Sequence, residues 1–430
     1  MILTARHIAP LARETLADTR IVNVVGAPGS GKTTLLRDML ETFAYVDLED
    51  EAVRRSVAED PYGMLKGLTL QAKASGLPVA IDGFHCLPSL VLALKRIVDE
   101  DGRPGQFVLA APYDVFRHPK SADSLAGRVS TLKLRPLSVA EIRGAGPCRL
   151  LDAVEERPQN VAAALPRVSG CTREETIGLV LGGGYPGALN EPEGRRASIF
   201  AEYAGKLAVR DVPMAHPVRN TDAARRLLDL VAFDTARELN AGRMAKKLGV
   251  RHETLENHLD ALVRLQAVVS LPAWNSVDGN REIRSPKLHL TDTGLAAALR
   301  GESSGSFGIG SDPAAIGSLF ETFVFNELEK SLPFQSSRWS LGHWRADRRK
   351  VDIVAEGPGR TFALFRTRAT SRIGPEDFQD MDWFLSEGPG KDGCGTAVVL
   401  YIGEHALSFG PGKVALPVST LWSYPLGYEV

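Results

Sequence analysis

Residues 21–34 read IVNVVGAPGSGKTT. An apolar run, Ile21–Val25, meets a glycine-rich turn, Gly26–Gly31, and from Lys32 a helical pattern continues to Leu40. Strand, glycine loop, lysine, hydroxyl and helix together are the context of a Walker A phosphate loop. Glycines let such a loop turn its backbone N–H groups toward an anion. The helix N-terminus adds a dipole that favours negative charge. Lys32 is the charge aimed at the β- and γ-phosphates, and Thr33 offers a hydroxyl to Mg²⁺. Gly26, Ala27, Pro28, Gly29, Ser30, Gly31, Lys32, Thr33 and Thr34 are therefore the expected nucleotide-binding residues. The plainer reading is an ordinary glycine-rich turn; spacing, lysine, threonine and both flanks weigh against it.

Outward from the loop, further strand-like runs fall at 43–48, 79–81 and 107–110, with a fifth at 130–134. Helical patterns separate them, among them 87–100. That alternation predicts βαβ units and a largely parallel sheet. Spacing does not give the strand order. In LPVAIDG, Asp82 directly follows an apolar run and is the expected Mg²⁺-side carboxylate, so the metal ligands expected are Thr33 and Asp82. The next residue, Gly83, has no side chain with which to polarise water. Binding is thus better supported than fast hydrolysis. Asp47 and Glu49 read as loop carboxylates.

Downstream the character changes. Residues 138–215 read as helical with glycine breaks, ending in a charged stretch, 191–210, that reads as a linker. Residues 222–270 read as three short helices and a strand, with Asn240 as an N-cap and Gly249 as a stop. Helix, helix, helix, strand is the order of a winged helix-turn-helix. A hairpin with its turn at Asp278-Gly279 is expected next. The last third mixes a long helix at 313–330 with strands at 351–355, 361–366 and 397–402, an α/β pattern.

The 430 residues exceed one ordinary core. Lys plus Arg number 51 and Asp plus Glu 52, a net charge of −1, which excludes a globally basic nucleic-acid coat but not a local patch. Local basic residues do occur at Arg243, Lys246, Lys247, Arg251 and Arg264, and again through 345–372. Four cysteines without CxxC spacing argue against a zinc site or a disulfide framework. No apolar run reaches the ~18 residues of a membrane span, so a cytoplasmic protein without integral membrane contact is expected.

The chain resembles the prokaryotic AAA-type ATPases that carry a C-terminal DUF4143 domain. The resemblance rests on GAPGSGKTTLL (26–36), YVDLED (45–50), VAIDGFHCLPSLVLALKRIVDE (79–100), SLAGRV (124–129), LRPLS (134–138), GGYP (183–186), LNAGRMAKKLGV (239–250), PKLHLTDTGLAAAL (286–299) and GSLFETFVFNEL (317–328). It implies an α/β fold in three parts: a P-loop AAA-type module with a helical extension (1–215), a winged helix-turn-helix (216–283) and a restriction-endonuclease-like domain (284–430). It implies Lys32, Asp82 and Arg128 as catalytic residues, with Arg128 an arginine finger or sensor and Arg135 a second candidate. The family usually has glutamate after the Walker B aspartate and a Thr-Gly-Ser sensor after the next strand. Here those places hold Gly83 and Leu109-Ala110-Ala111-Pro112.

The nuclease-like centre that the resemblance implies needs a glutamate, an aspartate and a Glu-x-Lys pair. Glu321 and Asp352 match the first two, but Arg366 and Arg368 stand at the last. A cation there repels Mg²⁺, so an inactive centre is expected. The cofactors implied are ATP and Mg²⁺, and the partners a nucleotide with DNA or a protein, in a chain open to homo-oligomerisation. Two functions follow: a slow Mg²⁺-dependent ATPase acting on DNA or a protein, or a nucleotide-dependent DNA-binding or scaffold protein without useful hydrolysis.

Overall fold

The computed structural model describes residues 3–117, 125–161, 170–218, 220–274, 285–307 and 316–423. The chain divides into two compact units, residues 1–136 with 264–266, and residues 137–263 with 267–430.

The first unit is built on five parallel strands: β1 (Ile21–Val25), β2 (Ala44–Asp47), β3 (Val79–Asp82), β4 (Phe107–Ala111) and β5 (Val129–Lys133). They lie in the order β2-β3-β4-β1-β5. β1 is buried along its whole length, as a central strand of a sheet covered on both faces should be. Alternate residues feed two cores. Ile21, Ile81, Phe107 and Leu109 face one, packing with α3 (Glu51–Glu59), α4 (Pro61–Ala72) and α5 (Leu90–Glu100) through Val57, Leu65 and Leu94. Val22, Val24, Ala80 and Val108 face the other, under α1 (Ile8–Asp18) and the helix that starts at Lys32. That helix, α2, runs Lys32–Thr34 and then widens into a π-helical turn, Leu35–Met39.

The second unit opens with helical segments, including α6 (Arg173–Gly182), whose Thr172 and Glu175 make a reciprocal capping box. The charged stretch 191–210 is no linker: 193–206 forms α7 (Glu193–Lys206). Its charges are spread around an exposed face, while Phe200 and Ala204, four apart, are buried. Then come α8 (Thr221–Phe233), α9 (Ala241–Leu248) and α10 (His252–Arg264). Asn240 caps α9 by accepting from the Arg243 amide, and Gly249 closes it at φ 69°. Strands β6 (Arg237–Glu238), β7 (Val268–Leu271) and β8 (Lys287–Leu290) form an antiparallel sheet in the order β6-β8-β7. The expected turn at Asp278-Gly279 lies outside the described residues.

After α11 (Thr293–Arg300) and α12 (Gly317–Ser331) the chain forms a six-stranded mixed sheet. Its strands are β9 (Ser340–Ala346), β10 (Arg349–Glu356), β11 (Thr361–Arg368), β12 (Cys394–Tyr401), β13 (Leu407–Gly410) and β14 (Lys413–Pro417), in the order β13-β14-β12-β11-β10-β9. Trp344, Phe362, Phe378 and Phe384 fill one core of this domain. Trp344 stacks on Trp383, so these tryptophans serve packing. The fold class is the one expected: a P-loop module on a parallel sheet, followed by a C-terminal α/β domain.

Candidate nucleotide-binding site

In open parallel α/β sheets, ligands bind beyond the carboxyl ends of the strands. The glycine loop leaves β1 at that end. Gly29 and Gly31 have φ of 76° and 98°, which turn the loop back on itself without a Cβ penalty. Gly26 is needed for space: a Cβ there would stand 2.2 Å from the Leu134 carbonyl oxygen. Arg6 braces the loop from α1's side. One nitrogen donates to the Ser30 carbonyl at 2.8 Å and another to the Arg135 carbonyl at 2.6 Å. Nothing in the sequence pattern singles Arg6 out. Lys32 Nζ donates to the carbonyls of Gly26 (2.8 Å) and Ala27 (3.1 Å), so its ammonium lies folded over the loop.

Thr33 and Asp82 meet. Thr33 Oγ1 donates to Asp82 Oδ2 at 2.6 Å. Tyr45 of β2 donates its hydroxyl to the same oxygen at 2.9 Å, and the Gly83 amide donates to Oδ1 at 2.8 Å. Both carboxylate oxygens are thereby oriented at the end of β3. Burial, and then the adjacent Asp82 charge, raises the Tyr45 phenol well above its ordinary range, so it stays a donor. A hydroxyl and a carboxylate are hard oxygen donors of the kind Mg²⁺ prefers. With the loop's amides alongside, the residues present fit a Mg²⁺–nucleotide pair. Among the described residues no group of three or more His, Cys, Asp or Glu forms a metal site.

The remaining candidates fall in two places. Arg135 follows β5 at the carboxyl end, is nearly buried, and donates to Gln266 of the same unit at 2.8 Å. Arg128 stands at the opposite end of the sheet. Its carbonyl accepts from the Ile21 amide, and its guanidinium donates to Asp99 at 2.5 Å. At ~3.3 Å per residue, the five residues of β1 separate it from the loop by roughly 16 Å. Lys32, Thr33 and Asp82 are thus brought together, and Arg128 is not brought to them in the same chain. Leu109, Ala110 and Ala111 are buried on β4, leaving no hydroxyl where a sensor would stand. Beyond them Asp114 accepts from Asn23 of β1 at 3.2 Å.

The nuclease-like residues of the second unit also have definite places. Asp352 of β10 and Lys287 of β8 are buried, and Glu321 of α12 lies largely buried beside Lys287. Lys287 Nζ donates to Glu321 Oε1 at 2.6 Å and to the Asp352 carbonyl at 3.1 Å. Lys350 Nζ lies 3.2 Å from Asp352 Oδ1. Burial, opposed by Lys287, lifts the Glu321 carboxyl to about 7. Lys287, Lys350 and their nearby positive charges hold Asp352 below the usual range against its own burial. Arg366 faces Asp377 and Asp380, and Arg368 pairs with Asp377. An ammonium therefore sits where a metal would need the carboxylates. The sequence gives no hint of Lys287, which lies 34 residues from Glu321.

The basic stretches are largely neutralised. Arg243 pairs with Asp234, Arg345 with Glu238, and Arg349 lies over the Trp383 ring. Lys246, Lys247 and Arg251 are exposed, but so are Glu253, Glu256 and Asp260 along α10.

A parallel sheet with this loop at its carboxyl edge defines a P-loop nucleotide-binding module. Residues 18–143 match the family model of the AAA domain, residues 316–421 that of DUF4143, and residues 173–306 a domain of unknown function, DUF8612. The chain thus carries an AAA domain and a C-terminal DUF4143 domain. Uncharacterized proteins of Mycobacterium bovis and Mycobacterium tuberculosis are each 24% identical over 424 residues, covering 98% of this chain and 85% of theirs. A signal-transduction ATPase with numerous domains and a tetratricopeptide repeat sensor, from Pyrococcus horikoshii, is 11% identical with a TM-score of 0.22. That match covers 77% of this chain but only 46% of the other. PCH-2 of C. elegans is 13% identical over 60% of this chain and 67% of its own, with a TM-score of 0.24. Among the described residues no helix is long and apolar enough to cross a membrane.

Proposed function

We propose that the chain binds ATP with Mg²⁺ and hydrolyses it slowly, using the bound state to act on DNA or a protein partner. The 2.6 Å contact of Thr33 with Asp82, at the mouth of the glycine loop, is the observation that carries this reading. Gly26 to Thr34 wrap the phosphates, Lys32 unfolds from its two carbonyls to reach them, and Thr33 with Asp82 hold the metal. Mg²⁺ bound there would offset the charge that develops on the transferred phosphoryl group. Tyr45 keeps Asp82 pointed through its hydrogen bond to Oδ2.

Three parts go with this reading: the ATPase module over 1–215, a winged helix over 216–283 and the DUF4143 domain over 284–430. The lysine between Glu321 and Asp352 supports a C-terminal domain without nuclease activity. Gly83 and the apolar sensor position support slow turnover, and a scaffold that binds ATP without useful hydrolysis is the second reading they favour. Given its distance from the loop, Arg128 would act as a finger only in a neighbouring chain. A cytoplasmic setting belongs to the same proposal.

Binding of a fluorescent ATP analogue, followed by anisotropy with and without Mg²⁺, tests the assignment. Lys32→Ala should weaken binding at least ~100-fold, through loss of the charge facing the phosphates. Thr33→Ala should bind weakly and equally with Mg²⁺ or EDTA. Unchanged binding in Lys32→Ala would overturn the site.

A further inference from the structure

The missing glutamate at position 83 leaves a specific space, and another side chain stands in it. β2 pairs with β3 so that Asp47 lies beside Asp82 and the Leu48 amide donates to the Asp82 carbonyl at 2.9 Å. Just past this pairing, Glu49 packs against Gly83. A Cβ built on Gly83 would stand 2.9 Å from Glu49 Cγ and 3.0 Å from Glu49 N. Gly83 also has φ 69°, a conformation an L side chain rarely adopts. A side chain at 83 and Glu49 in its present place exclude each other.

The other carboxylates at this edge are engaged. Asp82 accepts from Thr33, Tyr45 and Gly83. Asp47 accepts from the Glu49 amide, and Asp50 caps α3 by accepting from Ala52 and Val53. Arg54 anchors the carbonyls of Leu48 and Glu49 at 2.7 and 3.3 Å, which fixes the backbone from which Glu49 projects. The Glu49 carboxylate itself makes no hydrogen bond or ion pair among the described residues and is exposed.

We propose that Glu49, supplied by the turn that follows β2, is the catalytic carboxylate of ATP hydrolysis in this chain. The inference rests on the ATPase reading above. Water attacks the γ-phosphorus, a P–O bond forms, and the bond from the γ-phosphorus to the β–γ bridging oxygen breaks. ADP leaves with that electron pair. The proton lost by the attacking water passes to Glu49 and then to solvent, giving ADP and inorganic phosphate.

The test compares the full-length chain with Glu49→Gln and with Asp50→Asn, whose asparagine still caps α3. Anisotropy measures ATP binding, single-turnover phosphate release measures chemistry, and chromatography of the bound nucleotide identifies it as ATP or ADP. Glu49→Gln should bind ATP within threefold of the parent, release phosphate at least ~100-fold more slowly, as loss of a general base requires, and retain ATP where the parent retains ADP. Asp50→Asn should match the parent in all three. Phosphate release by Glu49→Gln within threefold of the parent, with ADP retained, overturns the proposal and leaves the ATPase reading standing. So does release by Asp50→Asn as slow as by Glu49→Gln. A parent chain that binds ATP but never converts it to ADP also overturns the proposal, while the binding site stands. A parent chain that binds no ATP overturns the ATPase reading itself.

Discussion

Lys287 places its ammonium 2.6 Å from Glu321 Oε1, with Lys287 buried and Glu321 largely so. Removing one member of such a pair leaves an uncompensated charge away from water. Lys287→Met keeps much of the side-chain volume but leaves Glu321 and Asp352 facing one another. A loss of roughly 3 kcal/mol is expected, read as a lower midpoint in urea or thermal unfolding of the full chain. Replacing Glu321 by Met in the same chain should restore part of it. If Lys287→Met were as stable as the parent, the ammonium would not be holding this centre together.

Glu321 also gives the centre a pH dependence of definite sign. Burial lifts its carboxyl to about 7, while an unfolded glutamate titrates near ~4.3. The folded state thus binds the proton more tightly, and the group's contribution is fully present at low pH. It declines as pH rises through the window between the two values and is spent above about 7. The melting temperature of the parent minus that of Glu321→Gln should fall from pH 5 to pH 7 and stay level from pH 8. A difference that grows over that range would reverse the sign.

The phosphate loop and Asp82 are legible in the sequence because each is contiguous with the strand that positions it. The relation of Glu49 to Gly83 is not, since it comes from the register of β2 on β3 across 34 residues. Strand order escapes for the same reason: crossover helices, not spacing, choose parallel neighbours. The stretch 345–372 reads as a basic patch, but the fold brings Glu238, Asp377 and Asp380 to its arginines. Charge along the chain is visible in the sequence, while charge across it is not. The stretch 191–210 misleads in another way. Its charges suggest a linker, and only the four-residue spacing of Phe200 and Ala204 marks a helix face.

Cys86 reports on Glu49 without any nucleotide. Burial raises its thiol above the ordinary range, and the negative charge of Glu49 adds to this, with Asp47 and Asp82 behind it and Arg54 opposing. Glu49→Gln removes the nearest negative contribution. The thiolate fraction at pH 8 then rises, and alkylation at Cys86 should quicken about two- to fivefold. Site-resolved mass spectrometry measures it, with exposed Cys394 as an internal reference whose rate stays fixed. Equal rates at Cys86 in parent and variant would place the Glu49 charge elsewhere.

Restoring the family's residue at position 83 should harm this chain. Gly83→Glu meets two separate obstacles: a left-handed φ of 69° and the stem of Glu49 at 2.9 Å. The backbone term costs about 1–2 kcal/mol for an L-residue, and the displaced Glu49 adds to it. The variant should therefore melt lower than the parent and hydrolyse ATP no faster. The two obstacles separate in a double-mutant cycle. Glu49→Ala alone, at an exposed position, should change stability by less than ~0.5 kcal/mol. Combined with Gly83→Glu, it removes the side-chain conflict and leaves the backbone strain, so stability should recover in part and not in full. Strict additivity of the two substitutions would mean that Glu49 and position 83 do not compete for the same space.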